Sequence, residues 1–169
     1  MPETQPPNRL LLGETSVTLR ILSYLDSLGM SYERVEHEPV TTSEAAALAR
    51  VSPLRQGAKA LLVKADGAYW HLVLSAALRV DNVRLRDILG TRRIRFASGE
   101  ELLERTGCLP GAVPPFGNLF GLPVLLDDAL LAEETVCFNC GSHTISLRMR
   151  RADMVTACEA RIERFGTAE

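Results

Sequence analysis

Apolar and polar residues alternate along this chain with two different periods. Apolar positions 17, 21, 25 and 28 recur at helical spacing and predict a helix that begins after Thr15 or Ser16 and ends at Gly29. An alanine-rich stretch over residues 44–50 predicts a second helix with Ser43 at its N-terminus. Between them, residues 31–35 alternate weakly, which favours a short strand.

The middle of the chain has the pattern of a β-hairpin. Two apolar runs, residues 58–63 and 69–74, flank a turn that contains Asp66 and Gly67. Asp-Gly pairs are typical of tight hairpin turns, because both central residues of such turns adopt positive φ angles. The pattern therefore predicts two neighbouring antiparallel strands.

Shorter elements follow the hairpin. Asp81 and Ser98 are candidate helix caps, with Gly90 ending the first of these two helices. Strands are predicted over residues 93–96, 123–126, 135–138 and 144–149, a helical turn from Asp128, and a final helix over residues 152–165. No regular β-α-β alternation appears, so the order of elements indicates an α+β protein in which helices flank antiparallel hairpins.

One connection is unusually long and rigid in composition. Residues 107–123 contain four glycines and four prolines. A 17-residue connection is long for a compact domain, and loops of this length are often functional. This segment is therefore a candidate part of a binding site.

Composition is that of an ordinary single domain. The chain has 169 residues, of which 46% are hydrophobic, and its net charge is −2. This balance argues against a nucleic-acid clamp that is basic throughout, but a local basic face remains open. Arginines concentrate in one segment and again near the C-terminus: Arg79, Arg84, Arg86, Arg92, Arg93 and Arg95, then Arg148, Arg150 and Arg151. They are interpreted either as contacts to RNA phosphates, for which the first five are the candidates, or as a solvated surface.

The ends and the cysteines bear on location and on metal binding. Residues 1–13 are predicted to form a flexible tail without the features of a secretory signal, and no apolar run approaches the roughly 20 residues of a membrane span. A cytoplasmic protein with reduced thiols is expected. Cys137 and Cys140 form a C-x-x-C followed by His143, but a closed zinc site needs a fourth ligand and no second such motif is present. We expect no metal, with Cys137 buried and Cys140 at the edge of a pocket; a thiol or zinc protein is the weaker alternative.

Four short motifs occur in order along the chain. They are HEPVTT at residues 37–42, KALLVK at 59–64, PGAVPPFG at 110–117 and NCGSHT at 139–144. Together they resemble the YbaK/prolyl-tRNA synthetase-associated editing-domain family over about residues 15–165. The resemblance implies a single α+β domain over residues 14–169, with a central mixed or antiparallel, barrel-like sheet surrounded by helices.

The resemblance also implies an activity. It implies that this chain is a free-standing hydrolase, which removes a wrong amino acid from a tRNA by cutting the ester to the terminal ribose. For this chain the expected substrate is a proline tRNA carrying a small wrong amino acid, alanine first and then cysteine or serine. The implied partners are aminoacylated tRNA and prolyl-tRNA synthetase, with no cofactor. The alternative is a non-catalytic module that binds a tRNA end or a synthetase; the oligomeric state is not indicated.

Lys59 is the candidate catalytic residue. If residues 58–63 form a strand, the side chain of Lys59 shares a face with Leu61 and Val63, while Ala60 and Leu62 face the other way. A cation in an apolar setting requires an anion or several acceptors, which the end of a tRNA supplies. The functional lysine of the family matches Lys59.

The remaining candidate residues lie in the last two motifs. The family's Gly-x-x-x-Pro loop matches residues 111–115, in which glycine permits close approach of a backbone and proline stiffens the loop. Many relatives have histidine where this chain has Asn139, and His143 is not its positional equivalent. His37 is interpreted as bracing the loop by a hydrogen bond in preference to catalysis. The candidate substrate-binding residues are Gly111, Ala112, Val113, Pro115, Asn139, Cys140, Gly141, His143 and Thr144.

Overall fold

The computed structural model describes residues 13–168. The predicted tail, residues 1–13, lies outside the described residues except for Gly13. The helices are α1 (Ser16–Ser27), α2 (Ser43–Arg50), α3 (Asn82–Leu89), α4 (Gly99–Thr106) and α5 (Arg151–Cys158). The strands are β1 (Tyr32–Glu36), β2 (Ala58–Ala65), β3 (Ala68–Ser75), β4 (Leu78–Val80), β5 (Ile94–Phe96), β6 (Val124–Asp127), β7 (Thr135–Asn139), β8 (Ile145–Arg150), β9 (Arg161–Glu163) and β10 (Gly166–Ala168).

Side-chain caps fix the starts of the first four helices, at or within one residue of the predicted positions. Thr15 caps α1, and Ser98 forms a capping box with Glu101 at the start of α4. Asp81 accepts from two backbone N–H groups of α3. The cap of α2 is Thr42, one residue before the predicted Ser43. Each cap satisfies N–H groups that the first turn of a helix leaves without partners.

The strands form a mixed central sheet and two smaller sheets. The central sheet has five strands in the order β5-β2-β3-β6-β9, in which β3, β6 and β9 are parallel and the other pairs antiparallel. A second, antiparallel sheet has the order β1-β8-β7, and β10 pairs with β4. The predicted α+β class is confirmed, although the described strands divide among three sheets and do not close into one barrel.

Two apolar clusters cover the two faces of the central sheet. Leu62 on β2 packs into the main core with α1, β7, β8 and α5. Val63, the next residue, packs on the opposite face with residues of α3 and β4 and with Phe165, together with Leu61. This alternation confirms the predicted side-chain directions along β2. No helix within residues 13–168 is long and apolar enough to cross a membrane.

The predicted final helix over residues 152–165 is wrong in its second half. α5 ends at Cys158, because Glu159 adopts a left-handed conformation with φ of 50°. The residues that follow form β9, which pairs with β6, and β10, which pairs with β4. Their partners lie far away in the sequence, so local periodicity could not identify them.

Candidate active site

A cavity of about 250 Å³ lies where the first residues of β2 meet α2 and the proline-rich loop. An isolated bridge between Gly57 and Cys137 brings the start of β2 beside β7, which is why residues so distant in sequence line one cavity. Four predicted site residues contribute to its lining: Lys59, Gly111, Val113 and Asn139. These residues come from three of the four sequence motifs. Thr41 and Thr42 of the first motif also line the cavity, so that all four motifs contribute to it.

Lys59 lies on the face of β2 that the sequence predicts. Its side chain lines the cavity, and its ammonium donates a hydrogen bond to the carbonyl of Leu78 on β4. The half-buried position lowers the local dielectric around the charge, so that it interacts with a bound group more strongly than it would in water.

Arg50 is a second cation in the wall, and the sequence analysis missed it. Only 8% of the residue is exposed, and its Nε donates to the carbonyl of Ala46 at 3.1 Å. Burial lowers the pKa of this guanidinium from its ordinary value. An arginine in the last turn of a helix is typical of an ordinary surface cation. The signal that could have revealed it is its spacing of four residues from buried Ala46, which puts both on one helix face.

The charges of the lining all have the same sign. Lys59 and Arg50 line the cavity, and among the described residues no carboxylate and no histidine does so. Thr41, Thr42 and Ser43 add hydroxyl groups along one side. Such a surface favours negative charge that develops on a bound ester oxygen, and it offers no side chain of the usual kinds for general base catalysis.

The proline-rich loop is held by side-chain donors. The carbonyls of Pro110, Gly111, Pro114 and Pro115 accept hydrogen bonds from His143, Asn139, His71 and Cys158 respectively. Proline has no N–H and contributes few backbone bonds, so the loop depends on these contacts for its shape. The loop is thereby a fixed wall of the cavity.

Gly111 is required by the conformation of this wall. Its φ is +83°, a region that side chains rarely adopt, and an added Cβ would lie 3.2 Å from the carbonyl oxygen of Thr41. The loop therefore approaches the segment before α2 more closely than a larger residue allows.

His71 is a functional candidate only through this loop, and the sequence analysis did not single it out. It lies on β3 with no exposed surface, and its Nε2 donates to the carbonyl of Pro114 at 2.9 Å. Burial lowers the pKa of His71 to about 4, so the imidazole is neutral at neutral pH. A Cβ added to Gly117 would lie 2.5 Å from its Cγ, which shows how tightly the loop covers the ring.

Asn139 takes part in a chain of hydrogen bonds behind the cavity. Its Nδ2 donates to the carbonyl of Gly111, and its Oδ1 accepts from Ser146 Oγ at 3.2 Å. Ser146 Oγ lies 2.8 Å from His37 Nε2, and His37 Nδ1 lies 2.8 Å from the carbonyl oxygen of Glu38. His37 thus makes the kind of hydrogen bond that the sequence analysis expected of it, although its partner is a serine of β8.

Cys140, Gly141 and Thr144 do not line the cavity. The expectation that Cys140 lies at its edge is wrong, because the residue is fully buried in the main core. Burial raises the pKa of its thiol to about 12. Thr18 donates to the carbonyl of Cys140 at 2.6 Å, and a Cβ on Gly141 would lie 2.8 Å from a methyl group of Val17. This segment packs on the start of α1, which draws it away from the cavity.

Three other candidate residues lie outside the cavity lining. Ala112 and Pro115 are buried within the loop, and His143 is half-buried and holds Pro110. None of the three contributes to the lining.

The cysteines form no metal site in the described part of the chain. All four are free and buried. Within residues 13–168 no group of three histidines, cysteines or carboxylates has the arrangement of a metal site.

Arg92, Arg93 and Arg95 lie toward the other end of β2, whereas Arg79 lies near Lys59. Arg92 and Arg93 line a surface cleft of about 490 Å³ with Lys64 and Arg95, and Arg86 borders a smaller cleft next to it. Arg84 pairs with Asp81 at 3.4 Å, and Arg79 is exposed on β4 beside the Leu78 carbonyl that Lys59 contacts. Lys59 and Lys64 are five residues apart on one strand, a distance of roughly 17 Å. The second cluster is divided, since Arg148 pairs with Glu33 at 2.9 Å and Arg151 donates to the carbonyl of Glu133.

Comparison with known proteins identifies the family. The model of the aminoacyl-tRNA editing domain matches residues 37–157. The multifunctional Ser/Thr-tRNA deacylase ProXp-y of Escherichia coli K12 is 32% identical over 160 residues, which cover 91% of this chain and 96% of that protein. The proline–tRNA ligase of Bacillus licheniformis is 35% identical over 92 residues, 54% of this chain and 16% of the ligase.

A solved structure agrees with these matches. A protein proposed to be a trans-editing enzyme for prolyl tRNA synthetase has 25% sequence identity and a TM-score of 0.81, covering 92% of this chain and 99% of its own. The cavity, the lysine on β2 and the proline-rich loop thus lie within the region that the family model matches. The chain belongs to the aminoacyl-tRNA editing domain family.

Proposed function

We propose that this protein hydrolyses the ester of a proline tRNA that carries a small wrong amino acid, namely alanine, cysteine or serine. By family the chain is an aminoacyl-tRNA hydrolase. The observation that carries the proposal is the cavity that Lys59 and the rigid proline-rich loop line together. Prolyl-tRNA synthetase is proposed as a partner because a proline–tRNA ligase shares part of this sequence.

The proposed reaction uses water as the nucleophile. Its oxygen bonds to the ester carbonyl carbon, the bond from that carbon to the ribose oxygen breaks, and a proton passes to the ribose oxygen. Free amino acid and intact tRNA result. Lys59 and Arg50 stabilise negative charge on the carbonyl oxygen, and the loop positions the ester. An aminoacyl ester is already reactive, so this scheme requires no side-chain base.

Selectivity is proposed to depend on the size and polarity of the cavity. Its side chains near Lys59 are small, including Ala46, Ala60 and Ala76, while Thr41 and Ser43 supply hydroxyl groups. A cavity that excludes a larger residue but admits smaller ones rejects by size. The hydroxyl groups favour serine over cysteine, and the E. coli relative, named a Ser/Thr-tRNA deacylase, adds threonine to the candidates.

The function is tested by deacylation of proline tRNA charged in turn with alanine, cysteine, serine, threonine or proline. We expect clearance of at least one small amino acid at least about tenfold faster than clearance of proline, the discrimination that a few atoms of pocket volume provide. Serine and threonine on their own tRNAs complete the panel, and the rate without protein is subtracted. Equal rates for all esters, or none above the background, would contradict the proposal.

A second candidate function is a module that binds the tRNA end without hydrolysis. The absence of carboxylates and histidines from the described lining favours it. Retained binding of aminoacylated tRNA with no hydrolysis of any ester in the panel would establish this alternative.

We also propose that the cleft around Arg92 and Arg93 contacts RNA phosphates, with Arg86 in the adjoining cleft and Arg79 on β4 and Arg84 on α3 as further contacts. Replacing both Arg92 and Arg93 with alanine is expected to weaken tRNA binding and to reduce the slope of log affinity against log salt by roughly 1.5, since each lost phosphate contact removes about 0.7–0.9. The measurement is a salt titration of tRNA binding.

The chain offers a matched control for this test. Arg164 follows β9, at the opposite edge of the five-stranded sheet from β5, and it is 73% exposed. Arg164→Ala should leave the salt slope unchanged. If it lowers the slope as much as the double substitution does, the cleft has no special role.

A further inference from the structure

A continuous hydrogen-bonded relay connects His37 to the loop that forms the cavity wall. It runs from the Glu38 carbonyl through His37 and Ser146 to Asn139 and ends at the carbonyl of Gly111. His37 and Glu38 lie together on the segment after β1, Ser146 on β8, Asn139 on β7 and Gly111 in the proline-rich loop, and Ser146 has no exposed surface. Only Asn139 and Gly111 line the cavity, so His37 and Ser146 act on it through them.

The direction of each bond in the relay is fixed by its ends. The carbonyl of Gly111 accepts, so it must face the Nδ2 group of Asn139, and the Oδ1 atom then faces Ser146. Ser146 has one hydroxyl proton, which it donates to Oδ1. Its oxygen can therefore only accept from His37 Nε2, which must carry a proton.

The other side of the imidazole imposes a second proton. His37 Nδ1 lies 2.8 Å from the carbonyl oxygen of Glu38, which can only accept. Both ring nitrogens therefore carry protons when all four bonds are made, and the ring is an imidazolium. In the neutral ring one bond is lost: either the Glu38 contact, or the Ser146 bond to Asn139 because the serine turns its proton toward the ring.

We propose that His37 and Ser146 are positioning residues that keep the amide nitrogen of Asn139 hydrogen-bonded to the carbonyl of Gly111. This relay is complete only when both ring nitrogens of His37 carry protons. The consequence for hydrolysis rests on the proposed function. Without the bond from Ser146 the amide is able to rotate, which would turn its oxygen toward the Gly111 carbonyl and repel it. The cavity wall would then lose one of the four side-chain donors that hold the loop.

Several charged or titratable residues lie near His37 in the sequence or on the neighbouring segment. Glu36 and Glu38 flank it in sequence, and Glu36 pairs with Arg34 at 2.8 Å. The backbone N–H of His37 donates to the carbonyl of Thr144 on the neighbouring segment, and His143 directly precedes Thr144. Arg148 lies two residues beyond Ser146 on β8. Arg148 is paired with Glu33 at 2.9 Å.

The relay is tested first without any measurement of activity. The side-chain amide of Asn139 and the ring nitrogens of His37 are followed by NMR from about pH 5 to about pH 8, the range in which imidazole generally titrates. In the wild type the Asn139 amide signals are expected to shift together with the His37 ring. In Ser146→Ala the amide signals are expected to lose their dependence on the His37 ring signals. Amide signals that ignore the His37 titration in the wild type would overturn the proposal.

The second measurement is kcat/KM for deacylation at both ends of this range. Ser146→Ala is expected to be about tenfold slower than wild type near pH 5.5, the effect of one lost hydrogen bond, and within about twofold near pH 8. Ser75→Ala is the matched control, because it removes another buried hydroxyl that donates to a carbonyl but lies outside the relay. A ratio of wild type to Ser146→Ala that does not change with pH would overturn the coupling to His37. If the wild type hydrolyses no ester, the proposed function fails and the NMR measurement alone decides the relay.

Discussion

Deacylation by the Lys59→Ala variant is expected to be slower than that of the wild type by on the order of 10²–10³-fold in kcat. Lys59 lines the same cavity as Gly111 and Val113 of the proline-rich loop, where an ester held by that loop would present its carbonyl oxygen. A unit charge about 4 Å from a developing oxyanion contributes about 4 kcal/mol at an effective dielectric of 20. Most of that energy is gained only as the negative charge forms, so the loss falls on kcat and much less on KM.

Lys64 provides the matched control for Lys59. Both lysines lie on β2, but Lys64 points to the other face, where its ammonium lies 5.3 Å from the centre of the Tyr69 ring and borders the arginine cleft. Lys64→Ala should raise KM and leave kcat within about twofold, because phosphate contacts act equally in the ground and transition states. Wild-type kcat in Lys59→Ala, with an unfolding temperature like that of the wild type, would remove Lys59 from catalysis.

The folding of β2 explains why this residue could be found from the sequence. The Asp66–Gly67 turn has φ angles of 49° and 83°, as the Asp-Gly signal predicts, and all eight residues of β2 pair with β3 in a continuous register. A strand with fixed register also fixes which side chains share a face. The alternation of residues along the strand is therefore enough to assign Lys59, Leu61 and Val63 to one face.

Residues whose environment depends on distant segments were not predictable in this way. Cys140 follows β7 directly, and nothing in its neighbourhood reveals that the start of α1 covers it. Arg50 and His71 gain their roles from the proline-rich loop and from β2, which meet them only in the folded chain. The four motifs indicate where the site lies, but burial decides which of their residues reach it.

Buried His71 should make the protein lose stability as the pH falls from about 6.5 toward 4. Its pKa is lowered to about 4 because the ring is fully buried, whereas the ordinary value is 6.5. Above pH 6.5 the ring is neutral in both the folded and the unfolded chain, so its contribution to stability does not change with pH. Between the two values only the unfolded chain takes up the proton, which favours unfolding. The total loss from this residue is about 3 kcal/mol, since one pKa unit corresponds to about 1.4 kcal/mol.

The measurement is urea unfolding at pH 7 and near pH 4.5 for the wild type and His71→Gln. Glutamine keeps an N–H donor for the Pro114 carbonyl but does not titrate, so the free energy of unfolding of the variant should fall by about 2–3 kcal/mol less between the two pH values. His143→Gln is the matched control, because His143 also donates to a loop carbonyl, that of Pro110, but is only half-buried. The free energy of unfolding of His143→Gln should fall between the two pH values by nearly as much as that of the wild type. Parallel pH profiles for wild type and His71→Gln would show that His71 is not the source of acid sensitivity.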